Sequence, residues 1–424
     1  MSPAGAGATL ETLPNGLRLL LAPATTAGTT AVAVHAGVGF RGEPADSSGL
    51  AHLFEHLMFA GSAGVEPGGH FAAVEAVGGA VGGHTRHDYT ELFEVVPAHA
   101  VDEVVRLEVD RLAGPRLDPA TLATQVEVIR AEIAQQVDGV PYGGFPWRHL
   151  PPAMFDTSPH VRDGYGDVAA LRRVGVDDAA AFFDHWWAPG NLVVTVEGDL
   201  DHLDVGRTRE LLSALPARAV PPATPLAEPA LAADRHLEVA AANVPAPVWA
   251  AGFRLPDPAL SPRLHGACTA LAGLLPAQEP ALRVSARSGW YGVPLDARDP
   301  DVLVLSTHPR PGVDGAPLLA AMRDLLAAWA PGAATPALLG TARTRLALGE
   351  YARGERLAHR ARRLGAATLL LGSTDVLASA DPTTCLDRDL LGEAAAYLLD
   401  QHAGTVLVTP GPAGSPATTP GGDS

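Results

Sequence analysis

The segment GLAHLFEHLMFAGS, from Gly49 to Ser62, holds two histidines and a glutamate in close spacing: His52, Glu55 and His56. Residues four apart on a helix share a face, so both imidazoles can point at one cation. Glu55, at about 100° per residue, lies beside them on the same arc. It can reach a water held at that cation without being a ligand itself. The order H-x-x-E-H is the inverted zinc motif. Leu50, Leu53, Phe54 and Phe59 mark the helix as buried. Two adjacent buried histidines beside a carboxylate need a reason, and a metal supplies one. Catalytic zinc usually takes three protein ligands and a water, so a third donor must come from elsewhere in the chain.

The elements that must position these residues follow from periodicity and turn signals. Leu10 to Leu13, the turn Pro14-Asn15-Gly16 and Leu17 to Ala22 read as a hairpin. Thr30 to Gly37 reads as a strand. Ser47 and Ser48 are placed to cap the motif helix. A helix is expected over Phe71 to Val77, a strand over Thr85 to Val96, and helices over Val101 to Leu112 and Pro119 to Val137. Asp177 to Trp187 reads as helix and Asn191 to Val196 as a buried strand. His84 and His87 are three apart in an extended segment, so they point to opposite faces and make a poor ligand pair. Residues 216–232 are Pro- and Ala-rich without an apolar period, which reads as a linker. Beyond it, Val248 to Phe253 and Thr405 to Val408 read as strands, with helices near Leu264 to Leu275 and Ala316 to Trp329. The segments PGNLVVTVEGD and HAGTVLVTPGP close the two halves alike, which hints at internal duplication.

Composition narrows the classes. The 424 residues suit two domains. Hydrophobic residues make up 47% and charged residues 18%, enough apolar material for two cores and too little charge for a disordered chain. A formal net charge of −17 argues against nucleic acid or an anionic membrane as partner. Every fixed side-chain cation is Arg. Cys268 and Cys385 lie far apart without metal-type spacing, which fits a reducing compartment and a cytoplasmic location. The start reads as having no signal peptide, and no apolar stretch reads as a membrane span.

Longer segments carry a resemblance. They are GFRGEPADSSGLAHLFEHLMFAGS, GGAVGGHTRHDYTELFEVVP, VIRAEIAQQ, VDGVPYG, FFDHWWAPGNLVVTVEGDLD and ERLAHRARRLGAATLLLG. Together they resemble the pitrilysin–insulinase–mitochondrial processing peptidase family of inverted-motif metallopeptidases. The resemblance covers nearly the whole chain and is strongest from Gly37 to Asp199. It implies that the third ligand is a Glu on a later helix, and Glu132 in VIRAEIAQQ stands at that place. Relatives often carry a second Glu two turns earlier on the same face; here it is Gln125, which can hydrogen-bond a ligand or water and tune the site. Glu127 is nearby but faces away from Glu132 by helical phase. Where relatives often have Asn on the substrate strand, this chain has Gly82. Backbone pairing with substrate through Gly83, His84 and Thr85 remains available. Arg283 and Tyr291, with Trp290 between them, loosely match an Arg and a Tyr that grip substrate.

The resemblance also implies a fold. It is α+β, with two similar domains, each an antiparallel-rich sheet packed with helices, together forming half of a peptidase chamber. The expected boundaries are an N-terminal zinc-binding domain over 1–215, a linker over 216–232, a related domain over 233–412 and a disordered tail over 413–424. The implied function is a zinc-dependent endopeptidase with one ion, acting on short or unfolded peptides. In it Glu55 takes a proton from water and passes it to the leaving amine. The alternative is a non-catalytic subunit, a scaffold or substrate-binding partner. Half a chamber implies a partner, either a related subunit or a second copy of the chain.

Overall fold

Strands form where the apolar runs alternate. The computed structural model describes residues 7–44, 48–222, 225–278, 280–329 and 335–412; Ser47 and the tail 413–424 lie outside them. Strand β1 (Thr9–Thr12) pairs antiparallel with β2 (Arg18–Pro23), and Gly16 between them takes a φ of 90°, which only glycine adopts freely. Then follow β3 (Thr29–Ala36), β4 (Ala80–Thr85), β5 (Thr90–Pro97) and β6 (Leu192–Gly198). Their order in the first sheet is β1-β2-β6-β3-β5-β4, so β4 is an edge strand. The second sheet holds β7 (Arg235–Ala241), β8 (Val248–Arg254), β9 (Ser285–Ser288), β10 (Val302–Thr307) and β11 (Gly404–Pro410), in the order β7-β11-β8-β10-β9.

The two sheets share one plan. β6 lies parallel to β2 and antiparallel to β3; β11 lies parallel to β7 and antiparallel to β8. The matching segments PGNLVVTVEGD and HAGTVLVTPGP therefore occupy equivalent places. In both sheets all other pairings are antiparallel. This is the α+β, antiparallel-rich class that the family resemblance implied.

Two expectations change. Thr85 to Val96 is not one strand but the end of β4, a turn and β5; the amide of Arg86 donates to the carbonyl of Tyr89 at 2.8 Å and closes the turn. The β-forming residues on both sides hid the polar turn between them. The helix of the motif, α1 (Leu50–Leu57), is not capped by Ser48. Its N-cap is Gly49, and the Glu43 carboxylate accepts from the amides of Gly49 and Ala51, both at 2.8 Å. A carboxylate suits the positive end of a helix.

Helices α1, α2 (Gly69–Ala76), α3 (Val101–Ala113) and α4 (Pro119–Glu132) carry the motif and the residues expected around it. α1 packs on β4 and β5, and α3 on β3 and β5. The other face of β3 is covered from far along the chain. The helix Leu357–Leu371 packs on β3, β5 and β6, and Ala31, Ala33, Leu357 and Ala361 form a core there, with Phe93 and Val95 against it. The chain thus forms two compact units that are discontinuous in sequence. Of the described residues, one unit takes those within 7–130, 164–225 and 351–375; the other takes those within 131–163, 226–350 and 376–412. In the second unit Trp249, Phe253, Leu271, Met322 and Trp329 anchor the larger core. Among the described residues no helix is long and apolar enough to cross a membrane.

Phe54 fixes α1 in place. Its ring stacks on Phe182 at 4.7 Å and is fully buried. Replacing it by Ala should lower the unfolding free energy by about 3–5 kcal/mol through lost transfer energy and a cavity. Urea denaturation checks this, with Leu348→Ala as control: Leu348 is 69% exposed, and its truncation should move stability by less than about 0.5 kcal/mol.

Candidate metal centre

The motif helix is apolar on the side that meets the sheet, with Leu50, Ala51, Leu53, Phe54 and Leu57 buried. The phase that buries Phe54 turns His52 and His56 together to another side. Their Nε2 atoms lie 3.3 Å apart. Two zinc–nitrogen bonds of about 2.0–2.1 Å meeting at a tetrahedral angle span a nitrogen-to-nitrogen distance of about 3.3–3.4 Å. The imidazoles are therefore set at the edge length of a tetrahedral site. Glu132 joins them: His52, His56 and Glu132 each offer a ligand atom, and the three atoms lie within 4.8 Å of one another. A donor set of two imidazoles and one carboxylate suits zinc. His52 is buried and its ring meets that of Tyr165 edge-on at 5.2 Å. Glu132 is the last residue of α4, and a single π turn, Ile133–Asp138, follows it. Such turns recur at functional positions.

Glu55 lies beside this triad rather than in it. Thr85 Oγ1 donates to its Oε2 at 2.8 Å. Gly83 approaches from the same side; a Cβ there would stand 3.0 Å from Glu55 Cγ and 3.1 Å from the Phe59 ring. The edge strand and the carboxylate are packed directly together. His84 points to the opposite face of the sheet, toward Glu91 and Arg362, each 3.2 Å from its Nδ1. Its backbone stays on the edge strand. His87 lies in the turn, buried, with its ring 4.4 Å from that of Phe40.

The other expected residues lie as follows. Gln125 is half-buried on α4, two turns before Glu132. Glu127 is paired with Arg130 and Arg172, at 2.7 and 2.8 Å. Gly82 lies against Phe93, whose ring occupies the space a side chain would need: a Cβ would come within 2.9 Å of it. In the second unit Arg283 is exposed and Tyr291 half-buried, at opposite ends of β9. Trp290 is 2% exposed and belongs to a core with Leu150, Met154 and Phe155.

Sequence reasoning missed a second polar cluster. On α2, β5 and α3, His70, Glu94 and Glu108 are buried together, again with ligand atoms within 4.8 Å. Here a side chain supplies the cation: Arg111 pairs with Glu94 at 2.9 Å and with Glu108, and its guanidinium lies 4.7 Å over the ring of Phe59. His70 Nε2 is 2.8 Å from Glu94. We read this as an ion-pair network behind Phe59. The signal was present in TELFEVVP, an apolar strand that carries two charges, Glu91 and Glu94, on opposite faces.

Residues 18–141, which include both histidines and Glu132, match the family described as insulinase, peptidase family M16. An uncharacterised zinc protease of Mycobacterium leprae is 28% identical over 200 residues, 46% of this chain and 44% of that protein. The match thus spans less than half of the relative's length. A protease from Helicobacter pylori has the same fold, with a TM-score of 0.83 at 21% identity over 95% of this chain and 99% of that one. So does a peptidase M16 inactive domain from Pseudomonas fluorescens, with a TM-score of 0.78 at 17% identity over 97% and 100%. The match over residues 18–141 bears out the resemblance to the inverted-motif metallopeptidases of the insulinase, peptidase M16, family that the motifs carry.

Burial governs the ion-pair network's response to pH. It pushes the Glu108 carboxyl up from 4.5 to about 8, with Arg111 opposing and Glu94 adding to the rise. A carboxyl raised on folding holds a proton that the unfolded chain releases, so stability should fall as pH rises from 4.5 to about 8. Glu108→Gln removes that dependence. Thermal melts at pH 5 and pH 8 should show the variant gaining on the wild type at the higher pH. Parallel melting curves across that window would contradict the assignment.

Proposed function

We propose that this chain is a zinc-dependent endopeptidase acting on short or unfolded peptides. The observation that carries the reading is the convergence of His52, His56 and Glu132, with Glu55 alongside and bound by Thr85 of an edge strand. Zinc at the three ligands would supply a Lewis acid, polarising the scissile carbonyl and acidifying a water. The chain's own residues do the rest. Glu55 accepts the water's proton and delivers it to the leaving amine. Its hydrogen bond from Thr85 fixes the direction of its carboxylate. An extended peptide adds to the outer edge of β4, pairing with the backbone of Gly83 to Thr85. The sheet order supports this, since among the described residues no strand lies outside β4. Gln125 tunes the site by hydrogen bonding a ligand or water.

Glu55→Gln should keep zinc near one ion per chain and lower peptidase activity by at least about 100-fold, the scale of a lost general base. Glu132→Ala should lose zinc and activity together. Glu127→Ala should lose neither, because that carboxylate serves Arg130 and Arg172. Metal analysis and a fluorogenic peptide assay read these outcomes. Loss of zinc in Glu55→Gln, or a larger defect in Glu127→Ala than in Glu132→Ala, would overturn the assignment.

The second reading is a non-catalytic subunit of the family, and the fold shared with an inactive M16 domain motivates it. The retained triad and Glu55 favour the peptidase. For the partner we propose a related chain that supplies the Arg and Tyr of the substrate grip. In this chain Trp290 is committed to a core, and Arg283 and Tyr291 stand at opposite ends of β9. Assaying the purified chain alone tests this. Little activity alone, restored by a related subunit, is expected. Full activity alone, lost in Tyr291→Phe, would instead favour a homodimer that uses Arg283 and Tyr291. The expected location remains the cytoplasm.

A further inference from the structure

The edge strand β4 reads AVGGHT, and its middle carries no side chain. Glycine packs nothing and has the widest backbone freedom, so such a strand is weak unless anchored. A Cβ would crowd Phe93 at position 82 and Glu55 and Phe59 at position 83, so those side chains would have to shift to admit one. Two anchors follow the glycines. Thr85 bonds Glu55 on one face. On the other face His84 is held by Glu91 and Arg362, and its ring stacks on Phe93 at 5.7 Å.

Glu91 is a fully buried carboxylate shared with His35, at 3.2 Å. A buried anion needs a cation and several donors. Burial opposes its ionisation, but the hydrogen bonds of His35 and His84 and the charge of Arg362 hold it well below the usual range. Arg362 Nε donates to Glu91 at 2.8 Å, and its guanidinium lies 4.7 Å over the Phe93 ring. One guanidinium thus touches Glu91, His84 and Phe93, the three groups that set the strand on that face. It comes from the helix Leu357–Leu371, which packs on the same sheet.

We propose that Arg362 is a positioning residue for peptide binding, holding β4 through Glu91, His84 and Phe93 at the place where an extended substrate pairs. The peptide half of this rests on the peptidase reading above; the anchoring of β4 does not.

Hydrogen–deuterium exchange on the full zinc-loaded chain, comparing wild type with Arg362→Met and Arg362→Lys, tests the anchoring. In the Met variant the β5-bonded amides of residues 80–85 should exchange about tenfold faster, while β2 keeps its protection. Lys keeps the charge but not the planar fork, so it should restore part of the protection. With an unstructured peptide, the Met variant should raise KM about fivefold and change kcat by less than about twofold. Unchanged exchange at 80–85 overturns the proposal. So does equal acceleration of β2 and β3, which would make Arg362 a general stabiliser, and so does a fall in kcat at constant KM. If the wild type cleaves nothing, the peptidase reading fails, and the exchange comparison still decides whether Arg362 holds β4.

Discussion

Two imidazole nitrogens 3.3 Å apart, one on a buried histidine, can share a proton or hold a cation, and their spacing matches the edge of a tetrahedral zinc site. The surroundings of α1 serve that convergence. Phe54 locks the helix phase against Phe182, and Glu43 satisfies its first amides. Glu132 arrives at the end of a long helix rather than on a loop, which limits its freedom. Glu55 is then oriented by the edge strand, through Thr85 and the absence of a side chain at Gly83.

β5 is the second organising feature. It presents Glu94 to α2 and α3, where Arg111 answers it, and Glu91 to the opposite face, where Arg362 answers it. Each buried carboxylate ties a helix to the strand beside the edge strand β4. A strand with charges on both faces is expensive to bury and specific in what it accepts. That specificity explains why a helix from residues 357–371 is committed to the first sheet.

Legibility followed the range of the interactions. The motif spacing gave the histidines and Glu55, because helical phase is local. The placement of Glu132 came from the family resemblance, since no local rule links residues so far apart in sequence. Most strands and helices were visible in apolar period and turn residues. The β4–β5 turn was not, because β-formers flank it on both sides. The cap by Glu43 was hidden by nearby serines of the right type. The packing of residues 351–375 with the first sheet includes Arg362 meeting Glu91, a pairing 271 residues apart that no window of sequence reports.

The account stands on zinc bound by His52, His56 and Glu132. X-ray absorption at the zinc edge, on the purified chain loaded with one equivalent of zinc, measures that directly. Two nitrogen ligands at about 2.0–2.1 Å, with oxygen ligands at about 2.0–2.2 Å and no sulfur, are predicted, and His52→Ala should release the zinc or leave it with one imidazole. A spectrum with a single imidazole, or one unchanged by His52→Ala but altered by His70→Ala, would contradict the claim and move the metal to the cluster around Arg111.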